Sequence, residues 1–307
     1  MISYTKLFCT IIIIVFLLNA CQITDNTDNK YDSMLVTPDW LNVHLNDPDL
    51  VIFYVGQKAL YDSIHIPGAQ FIKTSELSLP REEGKLALEL PEISKIDTVL
   101  EKYGVSNNSR IVLYFGKDWI SPTTRIYFIL DYAGLGENTS ILDGGLQAWQ
   151  RSGYPLTSET EQRAKGKLDL KADPNKITDF ENVSSNLNSK QIKIVDARDE
   201  RYFSGKDNAF GRIKRPGHIP GAVNLPYHSV VNDSLLTFES IEKIDSLFNS
   251  NGITRDKEVF PYCHIGQQAT VIYFAAKYRG YKVKLYDGSY EDWENHVDAK
   301  VEKPETD

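Results

Sequence analysis

The run His65-Ile66-Pro67-Gly68-Ala69 recurs residue for residue as His218-Ile219-Pro220-Gly221-Ala222. Leu142-Asp143-Gly144-Gly145 with Trp149 likewise returns as Tyr286-Asp287-Gly288-Ser289 with Trp293. The offset is about 150 residues, the size of a whole domain and far longer than a solenoid unit. The chain is therefore read as two tandem copies of one fold, residues 35–156 and residues 177–300. Thr157 to Lys176, charged and without aromatics, reads as the linker between them, and residues 21–34, rich in Asp and Asn, as a flexible tether.

Each copy alternates β-like and helical runs. In the second, Gln191 to Asp196 reads as a strand, Gly221 to Leu225 as a turn into another, and Ile241 to Ser250 as an amphipathic helix ended by Asn251-Gly252. Glu258-Val259-Phe260 is the next strand, Gln267 to Tyr278 a helix stopped by Gly280, Tyr281 to Tyr286 a further strand, and Asp287-Gly288 a turn. Strands separated by helices predict an α/β fold, in each copy an open parallel sheet flanked by helices on both faces. Ligands of such sheets gather beyond the C-terminal strand ends.

Met1 to Ala20 carries one basic residue, Lys6, and an apolar stretch from Leu7 to Leu18, too short to span a bilayer and of the length of a signal-peptide core. Residues 1–20 are accordingly excluded from the fold. Leu18-Asn19-Ala20-Cys21 resembles the bacterial lipobox, which implies cleavage before Cys21, lipidation of that residue, and a protein held by lipid to the cell envelope outside the cytoplasm. Of three cysteines, Cys9 would leave with the signal peptide and Cys21 would be lipidated, so no intrachain disulfide is expected. Cys263 is then the one free thiol. A net charge of −8 argues against nucleic acid as a partner, and 41% apolar residues are enough to fill two cores.

Cys263 lies where a strand is expected to hand over to a helix. A loop there can turn several backbone N–H groups inward, and the helix N-terminus adds partial positive charge; both favour thiolate over thiol and prepare a place for an anion. Gly266 supplies backbone freedom for a tight cradle, and Pro261 is tolerated because the strand is about to end.

With Asp196-Ala197-Arg198, Cys263-His264-Ile265-Gly266-Gln267-Gln268-Ala269 and Leu142 to Trp149, these repeats resemble the rhodanese family, specifically its tandem-domain sulfurtransferases, over roughly residues 35–300. The resemblance implies that Cys263 attacks the outer sulfur of an anionic donor, thiosulfate or 3-mercaptopyruvate, becomes a persulfide, and yields that sulfur to cyanide or a thiol. No metal or organic cofactor is implied. His264, Ile265, Gly266, Gln267 and Gln268 would bind substrate as the loop around it. Arg198 would grip the donor's anionic end as a partly exposed guanidinium at the cleft. Arg212, Lys214 and Arg215 are candidates for positive field at the mouth, whereas His65 and His218 are expected to hold the fold.

The first copy has no nucleophile. Where the second reads Phe260-Pro261-Tyr262-Cys263-His264, the first reads Ile111-Val112-Leu113-Tyr114-Phe115-Gly116-Lys117, and Tyr54 and Gly56 replace Asp196 and Arg198. A cysteine phosphatase of this fold needs Cys-x5-Arg, but Ala269 occupies the place of that arginine. The alternative to turnover is a persulfide carrier or a redox-sensing thiol module.

Overall fold

The computed structural model describes residues 34–82, 85–117 and 120–303. The expected signal peptide, Cys21 and all but the last residue of the expected tether lie outside the described residues. That last residue, Met34, is packed into the core.

The first copy runs β1 (Leu35–Val36), α1 (Pro38–His44), β2 (Leu50–Val55), α2 (Lys58–Ser63), β3 (Ala69–Phe71), α3 (Ile93–Lys102), β4 (Arg110–Phe115), α4 (Ile120–Tyr132), β5 (Thr139–Leu142) and α5 (Gly145–Arg151). Its strands form one parallel sheet in the order β1-β5-β4-β2-β3. Side chains alternate along β2: Leu50, Ile52 and Tyr54 face α1, α2 and α5, while Val51, Phe53 and Val55 face α3 and α4. Both sets are buried, as a parallel sheet with two covered faces requires.

The second copy runs β6 (Ile177–Thr178), α6 (Phe180–Ser185), β7 (Ile192–Asp196), α7 (Glu200–Phe203), β8 (Val223–Asn224), α8 (Ile241–Ser250), β9 (Glu258–Tyr262), α9 (Ala269–Tyr278), β10 (Lys282–Val283), β11 (Leu285–Tyr286) and α10 (Ser289–Asn295). Four strands pair in the order β10-β9-β7-β8, and β11 pairs with β6. This is the first copy's order with its second strand broken in two. The sequence predicts one strand from Tyr281 to Tyr286; instead the chain leaves β9 at Lys284, whose N–H donates to the Val259 carbonyl, and continues along β6. Helix α9 starts at Ala269 rather than Gln267, which leaves Gln267 and Gln268 in the loop after Cys263.

A single core passes through both copies, carried by α4 against α9. Every residue of α4 from Thr123 to Asp131 is buried, the mark of a helix covered on all sides. Across the seam the hydroxyls of Thr124 and Thr270 meet at 2.8 Å. Tyr127 sets its ring edge-on to Phe274 and Phe128 to Tyr273, at centroid distances of 4.7 and 5.1 Å, each pair contributing about 0.5–1.5 kcal/mol beyond its burial. Asp131 accepts from the Tyr273 hydroxyl at 2.7 Å and from Lys277 Nζ at 2.5 Å, so the buried carboxylate of one copy is met by the other.

The linker is an ordered strap. Gly166 N–H donates to the Glu101 carbonyl, Leu168 N–H to the Glu101 carboxylate, and Asp173 N–H to the Tyr132 carbonyl, which fastens the segment to the first copy before β6 begins. Among the described residues no helix is long and apolar enough to cross a membrane.

Candidate active site

Cys263 follows β9 directly and is 1% exposed. It lines a cavity of about 240 Å³ together with Arg198, His264, Ile265, Gln267 and Gln268, so five of the six expected loop and substrate residues surround the thiol. Tyr202, Ala209, Arg212 and Ile213 complete the second copy's wall, and Ser121 arrives from the first. Gly266 does not line the cavity. It adopts φ +75°, and a Cβ there would stand 2.5 Å from the Asp287 carbonyl oxygen, so the loop can close over the sulfur only with glycine at this point.

The loop's polarity follows from where its carbonyls go. The Cys263 carbonyl accepts from Tyr290 N–H at 3.0 Å and the His264 carbonyl from Glu291 N–H at 2.9 Å, both in the first turn of α10. In a trans peptide the C=O and the next N–H point opposite ways, so the N–H groups of His264 and Ile265 are turned away from α10. From His264 to Gln268, none of the five backbone N–H groups donates to another group among the described residues. Such a run of free donors beside a helix start fits an anion. Cys263 N–H itself is held by the Ser289 hydroxyl at 3.2 Å, which in turn donates to the Tyr286 carbonyl. Sequence reasoning did not single out Ser289; the signal was the change from Gly145 to Ser289, a hydroxyl gained directly after the repeated Asp-Gly pair.

Arg198 differs from expectation. It is 1% exposed, because Asp196 at the end of β7 takes its Nε at 2.9 Å and its Nη2 at 2.5 Å, the Gly217 carbonyl takes Nη2 at 2.8 Å, and the Tyr290 ring lies 4.1 Å from its Cζ. Only Nη1 has no partner, which leaves a single buried donor for a bound anion. His264 is half-buried in the loop. Its Nδ1 is buried without a partner, and burial lowers its basicity despite nearby Glu291, so the ring is neutral at neutral pH.

The three mouth cations separate. Arg212 lines the inner cavity; it and Lys214 also line an outer cavity of about 720 Å³, shared with Arg81 and Lys85 of the first copy. Arg215 is spent on structure, donating to the His296 and Ala299 carbonyls. His65 and His218 hold the fold as expected: each Nδ1 bonds a backbone carbonyl, of Tyr61 at 2.7 Å and of Phe203 at 2.9 Å. Among the described residues no group of His, Cys, Asp and Glu side chains is arranged to hold a metal ion.

Comparison with known proteins agrees with this layout. The family described as "Rhodanese-like domain" matches residues 37–152 and again residues 179–296. The sulfur carrier protein TtuD of Thermus thermophilus is 32% identical over 289 residues, covering 90% of this chain and 98% of its own. A protein of Mycolicibacterium smegmatis with the provisional name thiosulfate sulfurtransferase is 30% identical, over 88% of this chain and 97% of its own. The 3-mercaptopyruvate sulfurtransferase of Escherichia coli is 29% identical, over 87% and 97%. Among solved structures YnjE superposes with a TM-score of 0.79 at 24% identity, covering 89% of this chain and 69% of its own, a likeness of fold. With each copy matched over nearly its whole length, this chain belongs to the rhodanese family.

Proposed function

We propose that the protein is a sulfurtransferase working through a persulfide on Cys263. The Cys263 thiolate attacks the outer sulfur of an anionic donor. With thiosulfate the S–S bond breaks and sulfite leaves; with 3-mercaptopyruvate the C–S bond breaks and the carbon takes a proton to give pyruvate. An acceptor, cyanide or a thiol, then removes the outer sulfur and returns the thiolate. No step needs a metal or an organic cofactor. The observation that carries this reading is the row of unpartnered N–H groups from His264 to Gln268 around the thiol, a preorganised set of donors for negative charge on the outer sulfur. Arg198 Nη1 would take the donor's anionic end, and names of relatives support both donors. The test is intact mass after exposure to each donor, followed by steady-state kinetics against cyanide and a dithiol. Gain of one sulfur atom, lost again on adding acceptor, is expected; no gain with either donor would refute it.

A relative named a sulfur carrier supports the second reading, a thiol that holds sulfur for a partner protein or senses oxidants without turning over small molecules. Persulfide formation with no turnover on any small acceptor would favour it.

Lipid attachment at Cys21 remains part of the proposal, on the Leu18-Asn19-Ala20-Cys21 run alone. It would hold the domains to the envelope, outside the cytoplasm, by acyl chains. Cys21→Ala should abolish lipid labelling and release the protein from the membrane fraction; unchanged partition would count against it.

A further inference from the structure

We propose that Arg125, in the copy without a nucleophile, is a positioning residue for the sulfur cradle of the other copy. The inference rests on the sulfurtransferase reading and deepens it.

Arg125 is fully buried in the middle of α4. Its Nη1 donates to the Gly266 carbonyl at 3.2 Å and to Asp287 Oδ1 at 2.5 Å, and its Nη2 donates to the Leu88 carbonyl at 2.6 Å. Three carbonyls of the catalytic loop thus have outside partners: those of Cys263 and His264 on α10, and that of Gly266 on a guanidinium from the neighbouring copy. The same peptide-plane rule applies. A Gly266 carbonyl held toward α4 turns the Gln267 N–H the other way, and Gln267 lines the thiol cavity. Among the described residues nothing in the second copy replaces that tie. Gly266, in the left-handed region, has the least intrinsic preference of any residue for one peptide orientation.

The tie is one-sided. Thr124 and Thr270 meet across the seam, and the residue after each is Arg125 on one side and Val271 on the other. Asp143, the first copy's counterpart of Asp287, accepts from the Phe238 N–H and not from a cation. An arginine therefore sits only on the side that reaches the cysteine loop.

A rival role for Arg125 is to neutralise Asp287, and the test separates the two. In the double variant Arg125→Met with Asp287→Asn the charge pair is gone but the Gly266 carbonyl is left untied. Persulfide formation from thiosulfate is followed by intact mass, beside alkylation of Cys263 by iodoacetamide at a pH where its rate has levelled off and the thiol is fully ionised, a neutral electrophile that then needs no anion cradle. The rate at saturating donor should fall about 10- to 100-fold, as when one oxyanion donor is misaligned, while alkylation changes by less than about threefold. Arg125→Lys keeps the charge against Asp287 but lacks the fork, and should fall between wild type and the double variant; it also supplies the comparison if the double variant does not fold. A folded variant matching wild type on thiosulfate would overturn the proposal, and so would equal losses with both reagents. A wild type that gains no sulfur would overturn the underlying reading as well.

Discussion

The two copies share a sheet order, a His-Ile-Pro-Gly-Ala turn and a tyrosine whose hydroxyl takes the isoleucine N–H of that turn, Tyr114 in one and Tyr262 in the other, both at 3.1 Å. They part at the strand ends. Where the second copy places Asp196, Arg198, Cys263 and His264, the first places Tyr54, Gly56, Phe115 and Gly116. Tyr54 stands at the register position that Asp196 holds in the second copy. A Cβ on Gly56 would stand 2.6 Å from its hydroxyl oxygen and one on Gly116 2.3 Å, so both glycines are required by the ring. Burial pushes the Tyr54 hydroxyl up to about 12, and it stays neutral. A site that has lost its chemistry has thus been refilled as core, and the geometry that remains is that of packing.

Removing the nucleophile should give the largest effect. Cys263→Ser makes the second copy as inert as the first, with sulfur transfer reduced by at least about 10³-fold and the fold unchanged, because a hydroxyl is nearly isosteric and far less nucleophilic. Retained turnover in intact enzyme would break the comparison at its root.

Next comes the ion pair. Arg198→Ala leaves Asp196 a buried carboxylate without its partner and should cost about 3–5 kcal/mol in urea unfolding, besides weakening donor use. Copying the first copy around a retained Cys263, with Asp196→Tyr, Arg198→Gly and His264→Gly together, should recover most of that stability while leaving persulfide formation at about a hundredth of wild type or lower. If the triple variant is no more stable than the single one, the exchange of an ion pair for a ring is not self-contained.

The smallest effect concerns the repeated aspartates. Asp287 meets Arg125, whereas Asp143 meets only amides, and burial pushes its carboxyl up to about 6, held back in part by the Phe238 and Gly144 N–H groups. The folded state prefers this acid neutral, so its contribution is full below the ordinary carboxylate range and is lost as pH rises through about 6. Asp143→Asn should flatten that slope and stabilise the protein by about 1–3 kcal/mol at neutral pH. A melting temperature with the same pH profile in both proteins would show that Asp143 does not titrate in this window.

The repeat made the fold legible, since two copies of one pattern fix the domain count and the parallel order together. Cys263 was legible for the same reason: alternating strand and helix patterns put it at a strand end. Arg198 was legible as a site residue but not as a buried one, because a spacing of two from Asp196 does not reveal that the carboxylate will turn back onto the guanidinium. Arg125 was invisible as a partner of the loop, its contact with Gly266 being far apart in sequence and in the copy without chemistry. The one signal was an arginine set directly before the apolar run Ile126 to Leu130. The break at Lys284 was hidden because a strand that changes neighbours keeps the same β-like composition.

The core that α4 and α9 share sets what evolution can remove from this chain. The exchange that leaves the first copy without a nucleophile lies at the ends of two strands, β2 and β4, and is accommodated locally by a ring and two glycines. Loss of α4 would uncover α9, strand Lys277 without Asp131, and open the second copy's own interior to solvent. After duplication, then, the silent half can drift in its reactive residues and cannot be deleted. Descendants of such a gene are expected to keep two domains and one active site, with selection on the first half acting through the surface it presents to its twin.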